Sequence, residues 1–362
     1  MKKKKLIYIL HDIKMGGVEV ALTSAIPELH AQFELRVMVL GTVDKAMTAH
    51  LTPEELACFY TFDYKLFTYP FFIFKLVAFV LRFNPDVMIC SLWRASLVGT
   101  IVKRIRNKIP FLSCIHSTRF VHVFDKTCTL AALNVADKIL ADSTASADFI
   151  RNTLHPKVPV EIVSFYTHSS PSRRNIAPYH TEDIKFMFLG RLNPVKNMPM
   201  AIDLIHDLRA LGWPVTLDIY GRDNGVMSSI TEHIRNKKLE NYIHFKSELN
   251  YKEKIEAFGK HNFLLQLSLK EGMAMSVAEA MQNGLVCIVS PVGEIPNYAK
   301  DMESAIFVDI WKKEAWAEAI TKIERVFKEP ELYERLSLNC YENLKNVETY
   351  SKSLIRNIER VA

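Results

Sequence analysis

Short apolar runs alternate with longer amphipathic stretches along almost the whole chain, and this alternation constrains the fold most. Each run is bounded by polar residues, prolines or glycines, as expected of buried parallel strands. Strands that alternate with helices predict parallel sheets covered on both faces, an α/β architecture. The predicted strands are residues 6–10, 35–40, 86–90, 111–115, 138–141 and 160–164 in the first half, and 185–189, 215–220, 242–245, 263–267, 286–290 and 306–308 in the second.

Length and composition divide the chain into two domains. With 362 residues, 49% of them hydrophobic, the chain exceeds what one core usually supports. Residues 169–183 are polar, contain prolines and lack a periodic pattern, which is typical of an interdomain linker. We therefore predict a first domain at 1–168, a second at 184–349 and a last helix at about 350–362.

Cysteine spacing and charge indicate the compartment and the partners. The six cysteines form no C-x-x-C pair, and no secretory leader follows the N-terminal lysines, which predicts reduced thiols and a cytoplasmic protein. Residues 1–170 carry 20 Lys and Arg against 14 Asp and Glu, whereas residues 171–362 carry 26 of each. This excess predicts an anionic partner for the first half, such as a membrane leaflet or an acidic acceptor; a merely soluble basic surface is the alternative. Nucleic acid is disfavoured because no known recognition module is present.

The stretch from Ser268 to Gly284 is predicted to end a strand, form a glycine turn and begin a helix. Glu271 follows the apolar run 262–267, and Glu279 comes eight residues later. In open α/β sheets ligands collect at the carboxyl ends of strands, where the next helix presents unpaired N–H groups and its positive dipole end. An anionic ligand is therefore expected at this edge.

The pattern E-G-x-x-x-x-x-x-E-A-M-x-x-G at 271–284 resembles the retaining glycosyltransferases of family four. Further motifs extend this resemblance over nearly the whole chain, and their order and spacing together make the resemblance specific. These motifs are Met15-Gly-Gly-Val-Glu19, Asn84-Pro-Asp-Val-Met-Ile89, Ile115-His-Ser-Thr118, Phe188-Leu-Gly-Arg191, Lys196-Asn197, Ile219-Tyr-Gly221 and Pro291-Val-Gly293. The resemblance implies the GT-B fold, in which two Rossmann-like, doubly wound domains face a cleft and the C-terminal helix returns to the first domain. It also implies a nucleoside-diphosphate sugar as donor substrate, with a UDP-sugar expected, and no cofactor.

The resemblance gives the two glutamates different roles. It implies that Glu271 contacts hydroxyls of the donor sugar and that Glu279 accepts hydrogen bonds from the ribose, beside Gly272, Met275 and Ser276 in the same pocket. A carboxylate can accept two hydroxyls at once, and such charge-assisted bonds are the stronger kind. For Glu279 an alternative stays open, because Ser276-Val-Ala-Glu279 also has the spacing of a helix capping box.

Two cations are predicted to hold the donor diphosphate. Arg191 and Lys196 follow a strand end, and preorganised cations stabilise the charge that develops on a leaving diphosphate. Solvated surface charges are the alternative for both. The resemblance also assigns glycines of strand-to-helix turns to donor binding, although a tight turn alone would explain such residues: Gly16, Gly17, Gly190 and Gly221.

His116 is predicted at the carboxyl end of a first-domain strand. The resemblance implies that it faces the acceptor and the donor sugar, and a purely structural histidine is the alternative. No D-x-D motif and no His/Cys/Asp cluster with ligand spacing occurs, which predicts that no metal is bound. Two departures from the family pattern, Ala274 and Glu294, leave the loop shape open.

The predicted function is transfer of a sugar, with retention at the anomeric carbon, to a saccharide acceptor. Family members that extend lipid-linked glycans suggest a lipopolysaccharide, O-antigen or capsule precursor. The aromatic and basic segment Phe71–Phe83 predicts a peripheral protein on the inner face of the cytoplasmic membrane, although an ordinary helix packed on the sheet is the alternative. A nucleotide-sugar epimerase of the same fold and a non-catalytic sugar-nucleotide-binding subunit are the rival functions.

Overall fold

Each half of the chain builds its own parallel sheet. The computed structural model describes residues 3–64, 68–170 and 179–361, so residues 171–178 of the predicted linker lie outside the described residues. One unit consists of residues 1–168 with 348–362, here called unit 1, and the other of residues 169–347, called unit 2.

Unit 1 contains a seven-stranded sheet in the order β3-β2-β1-β4-β5-β6-β7, with every pairing parallel. The order reverses between β1 and β4, which start the two halves of a doubly wound sheet. The strands are β1 Lys5–Leu10, β2 Glu34–Val39, β3 Phe59–Thr61, β4 Val87–Ser91, β5 Phe111–Ile115, β6 Lys138–Ala141 and β7 Val160–Ile162. The helices are α1 Gly17–Gln32, α2 Lys45–Thr48, α3 Pro53–Leu56, α4 Tyr69–Phe83, α5 Trp93–Ile105, α6 Val123–Leu133, α7 Thr144–Phe149 and α15 Tyr350–Glu359.

Unit 2 contains a six-stranded parallel sheet in the order β10-β9-β8-β11-β12-β13, which reverses between β8 and β11. Its strands are β8 Ile184–Leu189, β9 Val215–Tyr220, β10 Ile243–Lys246, β11 Phe263–Gln266, β12 Val286–Val289 and β13 Ile306–Phe307. Its helices are α8 Met198–Ala210, α9 Met227–Asn236, α10 Tyr251–Phe258, α11 Met275–Gln282, α12 Ile295–Tyr298, α13 Glu314–Lys328 and α14 Pro330–Leu344. The doubly wound α/β prediction is confirmed for both halves.

The predicted strands occur at the expected places, with small shifts at their ends. Residues 160–164, for example, form a strand only over Val160–Ile162. Strand β3 was not predicted, because Phe59–Thr61 is too short to show a period and only one of its edges pairs with a neighbouring strand. Within the described residues, no helix has both the length and the apolar composition needed to cross a membrane.

The last helix, α15, belongs to unit 1, which confirms the predicted return of the C-terminal helix. Its first residue, Tyr350, is buried and its hydroxyl lies 3.0 Å from the hydroxyl of Tyr8 on β1. Leu354, one turn later, is fully buried. Apolar burial of this kind supplies most of the stability of a packed helix.

The reversal point of the first sheet is held together by His11, which follows β1. Its Nε2 accepts a hydrogen bond of 2.8 Å from the backbone N–H of Arg94 in α5. Burial is the main cause that lowers the pKa of His11 from 6.5 to about 3, and the positive charge of Arg94 contributes to the same shift. His11 is therefore neutral in the folded protein at pH values where a free histidine is protonated.

We expect Leu354→Ala to lower the unfolding free energy of unit 1 by about 2–5 kcal/mol, because it opens a cavity under α15. Urea unfolding followed by circular dichroism measures this loss. Leu56→Ala is the matched control, since Leu56 lies in unit 1 and is 40% exposed. Equal losses in the two variants would contradict the packing role of α15.

The unfolding free energy should fall as the pH is lowered from 6.5 towards 3, because the unfolded chain takes up a proton at His11 and the folded protein does not. The contribution of this one group has a slope of at most about 1.4 kcal/mol per pH unit. His11→Gln keeps an acceptor for the Arg94 N–H and removes the titration. Denaturant unfolding between pH 6.5 and 5 should therefore give a shallower slope for the variant, and identical slopes would refute this prediction.

Candidate functional site

Two predicted site residues meet where the strand order of unit 2 reverses. Lys196 ends a 3₁₀ turn shortly after β8, and Glu271 lies shortly after β11, the next strand in the sheet. The Lys196 Nζ is 2.7 Å from Glu271 Oε1, and the two side chains are only 16% and 10% exposed. Lys196 and Glu271 are 75 residues apart in the sequence, and they form a direct ion pair because β8 and β11 are neighbours in the sheet.

A buried glutamine holds the same carboxylate. Gln266 is the last residue of β11 and is fully buried, and its Nε2 donates to Glu271 Oε1 at 2.8 Å. The hydroxyl of Ser276 donates to Gln266 Oε1 at 2.8 Å, which fixes the orientation of the amide. Both donors to Glu271 therefore converge on Oε1, and among the described residues the structure shows no hydrogen bond to Oε2.

Glu279 does not form the capping box that its spacing from Ser276 permits. Helix α11 begins at Met275 after Ala274, and no side chain caps it. The Ser276 hydroxyl is engaged by Gln266, and both oxygens of Glu279 are bound by Lys254 Nζ, at 2.7 and 2.6 Å. The capping alternative is wrong because each side chain has a stronger partner outside the helix.

The loop before α11 contains one departure from the family pattern, Ala274, and contacts the other, Glu294, which lies in the loop after β12. Ala274 adopts the left-handed region, with φ 52°, where glycine is the least strained residue. Glu294 donates its backbone N–H to the carbonyl of Gly272 at 2.9 Å. A Cβ on Gly293 would lie 2.5 Å from the carbonyl oxygen of Glu271, so glycine is required where these two loops touch.

The other predicted residues of unit 2 border the same edge. Gly190 and Gly221 follow β8 and β9, and their backbones touch so closely that a Cβ on Gly221 would overlap the Gly190 carbonyl. Arg191 is exposed, and the described part of the chain offers its guanidinium no hydrogen bond or ion pair. The structure therefore brings Lys196, Glu271 and Ser276 together and leaves Arg191 exposed, in the same loop that carries Lys196.

The predicted residues of unit 1 occupy the carboxyl edge of the first sheet. Gly16 and Gly17 form the start of α1 after β1. His116, just after β5, is only 7% exposed in its side chain, and its Nε2 lies 3.0 Å from the Ser91 hydroxyl. Its Nδ1 lies 3.5 Å from Asp142 Oδ2. Both ring nitrogens thus point at protein groups.

The surroundings of His116 are polar and buried. Burial raises the pKa of Asp142, but hydrogen bonds from His116, Ser146 and Ser143 outweigh it and lower the pKa below its usual value. Ser91 is fully buried and also contacts the Tyr8 hydroxyl, at 2.7 Å.

A cavity of about 260 Å³ opens beside His116. Trp93 and His122 form part of its wall, with their rings edge to face and the centroids 5.1 Å apart. Leu92, which precedes α5, has φ 73° and is strained for a branched residue. A wall of polar groups and aromatic rings suits a ligand that has both hydroxyls and an apolar C–H face, such as a sugar.

Sequence reasoning missed Gln266 and Lys254. Gln266 could have been noticed as the one polar residue in the apolar run 263–267. Lys254 gives no such signal, because it lies among charged residues on a helix that precedes β11. Within the described residues, no three His, Cys, Asp or Glu side chains lie close enough to hold a metal ion, and metal independence stays a prediction.

Comparison with known proteins places both halves of the chain in glycosyltransferase families. Residues 15–164 match the family described as Glycosyltransferase Family 4, and residues 170–343 match Glycosyl transferases group 1. A search of curated protein sequences finds no match.

Solved glycosyltransferase structures share the fold over their whole length. HepE of Anabaena in complex with UDP aligns with a TM-score of 0.78 at 15% identity, covering 98% of this chain and 100% of that chain. Sucrose-phosphate synthase of Thermosynechococcus elongatus aligns with a TM-score of 0.73 at 16% identity, covering 99% of each chain. The lipopolysaccharide outer core galactosyltransferase WaaB, in its apo form, aligns with a TM-score of 0.71 at 16% identity, covering 99% and 100%. With family matches on both halves and this fold, the chain belongs to the GT-B glycosyltransferases of the family-four type.

Proposed function

We propose that this glycosyltransferase moves a sugar from a UDP-sugar to a saccharide acceptor with retention at the anomeric carbon and without a metal ion. The observation that carries the proposal is the Glu271 carboxylate, fixed through Oε1 by Lys196 and Gln266 at the reversal point of the second sheet. HepE, which shares the fold, has been solved with UDP and with UDP-glucose, and this supports uridine as the base of the donor.

In this proposal the fixed carboxylate of Glu271 binds the donor sugar. Glu271 Oε2 accepts hydrogen bonds from sugar hydroxyls, while Oε1 stays bound to Lys196 and Gln266. The diphosphate lies near Lys196 and Arg191, whose charges stabilise the negative charge that appears on UDP as the anomeric C–O bond breaks. These cations take the place that Mg²⁺ has in metal-dependent transferases.

Retention is assigned to attack from the same face as the departing diphosphate. An ammonium and an amide on Oε1 withdraw charge from the Glu271 carboxylate, which makes it a poor nucleophile towards the anomeric carbon. The leaving diphosphate itself accepts the acceptor's proton in this mechanism. The glycosidic bond to the acceptor forms as the bond to UDP breaks.

His116 stays a predicted catalytic residue on the acceptor side. Its Nε2 can meet a substrate only after the bond to Ser91 opens, and its Nδ1 lies 3.5 Å from Asp142 Oδ2 on the other side of the ring. The cavity beside it, with Trp93 and His122 in its wall, is the proposed place of an acceptor sugar.

A lipid-linked acceptor at an anionic membrane is the last part of the proposal. Helix α4 exposes Phe71 and Phe74, at 79% and 76%, on the same side as the exposed Lys75 and Arg82. Residues three, four, seven or eleven positions apart share one face of a helix. Exposed aromatic rings beside cations suit the interface of an anionic bilayer. WaaB, by its name a lipopolysaccharide galactosyltransferase, has the same fold.

We expect Lys196→Met, Arg191→Met and Glu271→Gln each to lower turnover of a UDP-sugar by about a hundredfold, because the cations stabilise the charge on the leaving diphosphate and the carboxylate binds the sugar hydroxyls. A thermal-shift screen of nucleotide sugars identifies the donor, and UDP release then measures turnover.

The matched control for these variants is Lys260→Met. Lys260 is an exposed cation of unit 2 that precedes β11, at the opposite edge of the sheet from Glu271. Its turnover should stay within about twofold of the wild type. Wild-type turnover in all three site variants would sink the assignment of the donor site.

The paired change Phe71→Ser with Phe74→Ser should abolish cosedimentation with vesicles rich in phosphatidylglycerol at low salt, because it removes the rings that enter the interface. High salt should weaken binding of the wild type as well.

The comparison variant is Trp311→Ser, since Trp311 is 70% exposed but lies in unit 2. It should sediment like the wild type. If the wild-type protein stays in the supernatant with anionic vesicles, the membrane part of the proposal is wrong and the donor site is unaffected.

A further inference from the structure

Lys254 binds both oxygens of the Glu279 carboxylate. One ammonium nitrogen lies 2.7 Å from one oxygen of the carboxylate and 2.6 Å from the other, and the two side chains are 15% and 7% exposed. Removing two charges from water is unfavourable unless they pair closely. The contact therefore fixes the plane of the carboxylate and cancels most of its charge.

The local structure of helix α10 does not itself require a lysine at position 254. Asn250 caps this helix in a capping box with Glu253, so the helix start is fixed without Lys254. Lys254 lies in the first turn, where the positive end of the helix dipole disfavours a cation. The favourable partner lies instead on α11, 25 residues away.

Both groups keep unused hydrogen-bonding capacity. An ammonium has three donors, and two are directed at Glu279. Each carboxylate oxygen can accept a second bond. In the described part of the chain, no other side chain or backbone group is seen to bond to these atoms, so one donor and two acceptor positions remain for a ligand.

We propose that Lys254 is a positioning residue of the donor site that, with Glu279, recognises the vicinal diol of the nucleotide ribose. A ribose hydroxyl donates to the fixed carboxylate and accepts from the third N–H of Lys254. The pair therefore binds one hydroxyl both as a hydrogen-bond donor and as an acceptor. Lys254 also neutralises Glu279, whose bare charge would repel the diphosphate of the same ligand. This inference rests on the proposed function, because it requires the nucleotide to bind beside α11.

Binding of UDP and of its 2′-deoxy and 3′-deoxy analogues, measured by titration calorimetry, tests the assignment. The wild type should prefer UDP over at least one analogue by on the order of tenfold or more, because a lost hydroxyl leaves buried charged groups unpaired. Lys254→Met should weaken UDP binding on the order of tenfold and reduce this preference to within about twofold. In turnover assays the same variant should raise the donor KM and leave kcat within about twofold.

Control variants separate recognition from stability. Lys252→Met removes an exposed cation from the same helix and should keep the affinity and the preference of the wild type. Lys254→Gln retains an amide donor for Glu279 and serves if Lys254→Met does not fold; it should show the same loss of preference. The double variant Lys254→Met with Glu279→Gln should bind UDP no more weakly than Glu279→Gln alone, because the two residues act as one unit.

The outcomes distinguish this inference from the proposed function. A wild-type protein that binds no UDP overturns both. If Glu279→Gln loses the preference while Lys254→Met and Lys254→Gln keep it, the role of Lys254 is wrong and the ribose site stands. A lower melting temperature with unchanged affinity and preference in the Lys254 variants would make the pair a purely structural contact and overturn the inference.

Discussion

The ion pair between Lys196 and Glu271 depends on the reversal of strand order between β8 and β11. Helices that follow these two strands leave to opposite faces of the sheet, so a crevice opens at their carboxyl ends. Charges that enter such a crevice lose water and must pair, and removing one partner leaves the other uncompensated. The 2.7 Å contact therefore fixes both the loop after β8 and the loop after β11.

The same topological rule shapes the first unit, with different chemistry. Its order reverses between β1 and β4, and there the neutral His11 accepts from the backbone of Arg94. A buried hydrogen-bond chain runs from Tyr350 through Tyr8 and Ser91 to His116. The return of α15 thus contributes a hydroxyl to the network behind His116, in addition to its apolar packing.

The strands and the carboxylates were predictable because each depends on a few adjacent residues. An apolar run followed by Glu271 and Gly272 indicates a strand end and a turn whatever else the chain contains. The partners of those carboxylates were not predictable in the same way. Lys196 was predicted as a site cation but not as the partner of Glu271, and Lys254 was not singled out at all. Only the tertiary structure brings them to Glu271 and Glu279.

The predicted capping box shows that a correct local spacing does not ensure the local hydrogen bond. Ser276 and Glu279 have the correct local spacing, yet the hydroxyl of Ser276 bonds to Gln266 at the end of β11. Asn250 and Glu253 have an equivalent spacing and do form the box; both are exposed, and no residue of the described ranges competes for their side chains. A local pattern therefore predicts a local bond only when no tertiary partner binds the same side chain.

The two glutamate–lysine pairs are neutral units, and this explains how carboxylates can lie in a pocket proposed for a diphosphate. Two bare carboxylates would repel such a ligand in a site of low dielectric. The pairs differ in how firmly they are held. Lys254 binds both oxygens of Glu279 and has no second acceptor among the described residues, whereas Lys196 binds one oxygen of Glu271. In the proposed reaction the diphosphate must share Lys196 with Glu271. The hydrogen bond from Gln266 then keeps the carboxylate in place while the Lys196 ammonium, still bound to Oε1, also donates to the phosphate, and for this reason the buried amide at the end of β11 supports the proposed catalysis.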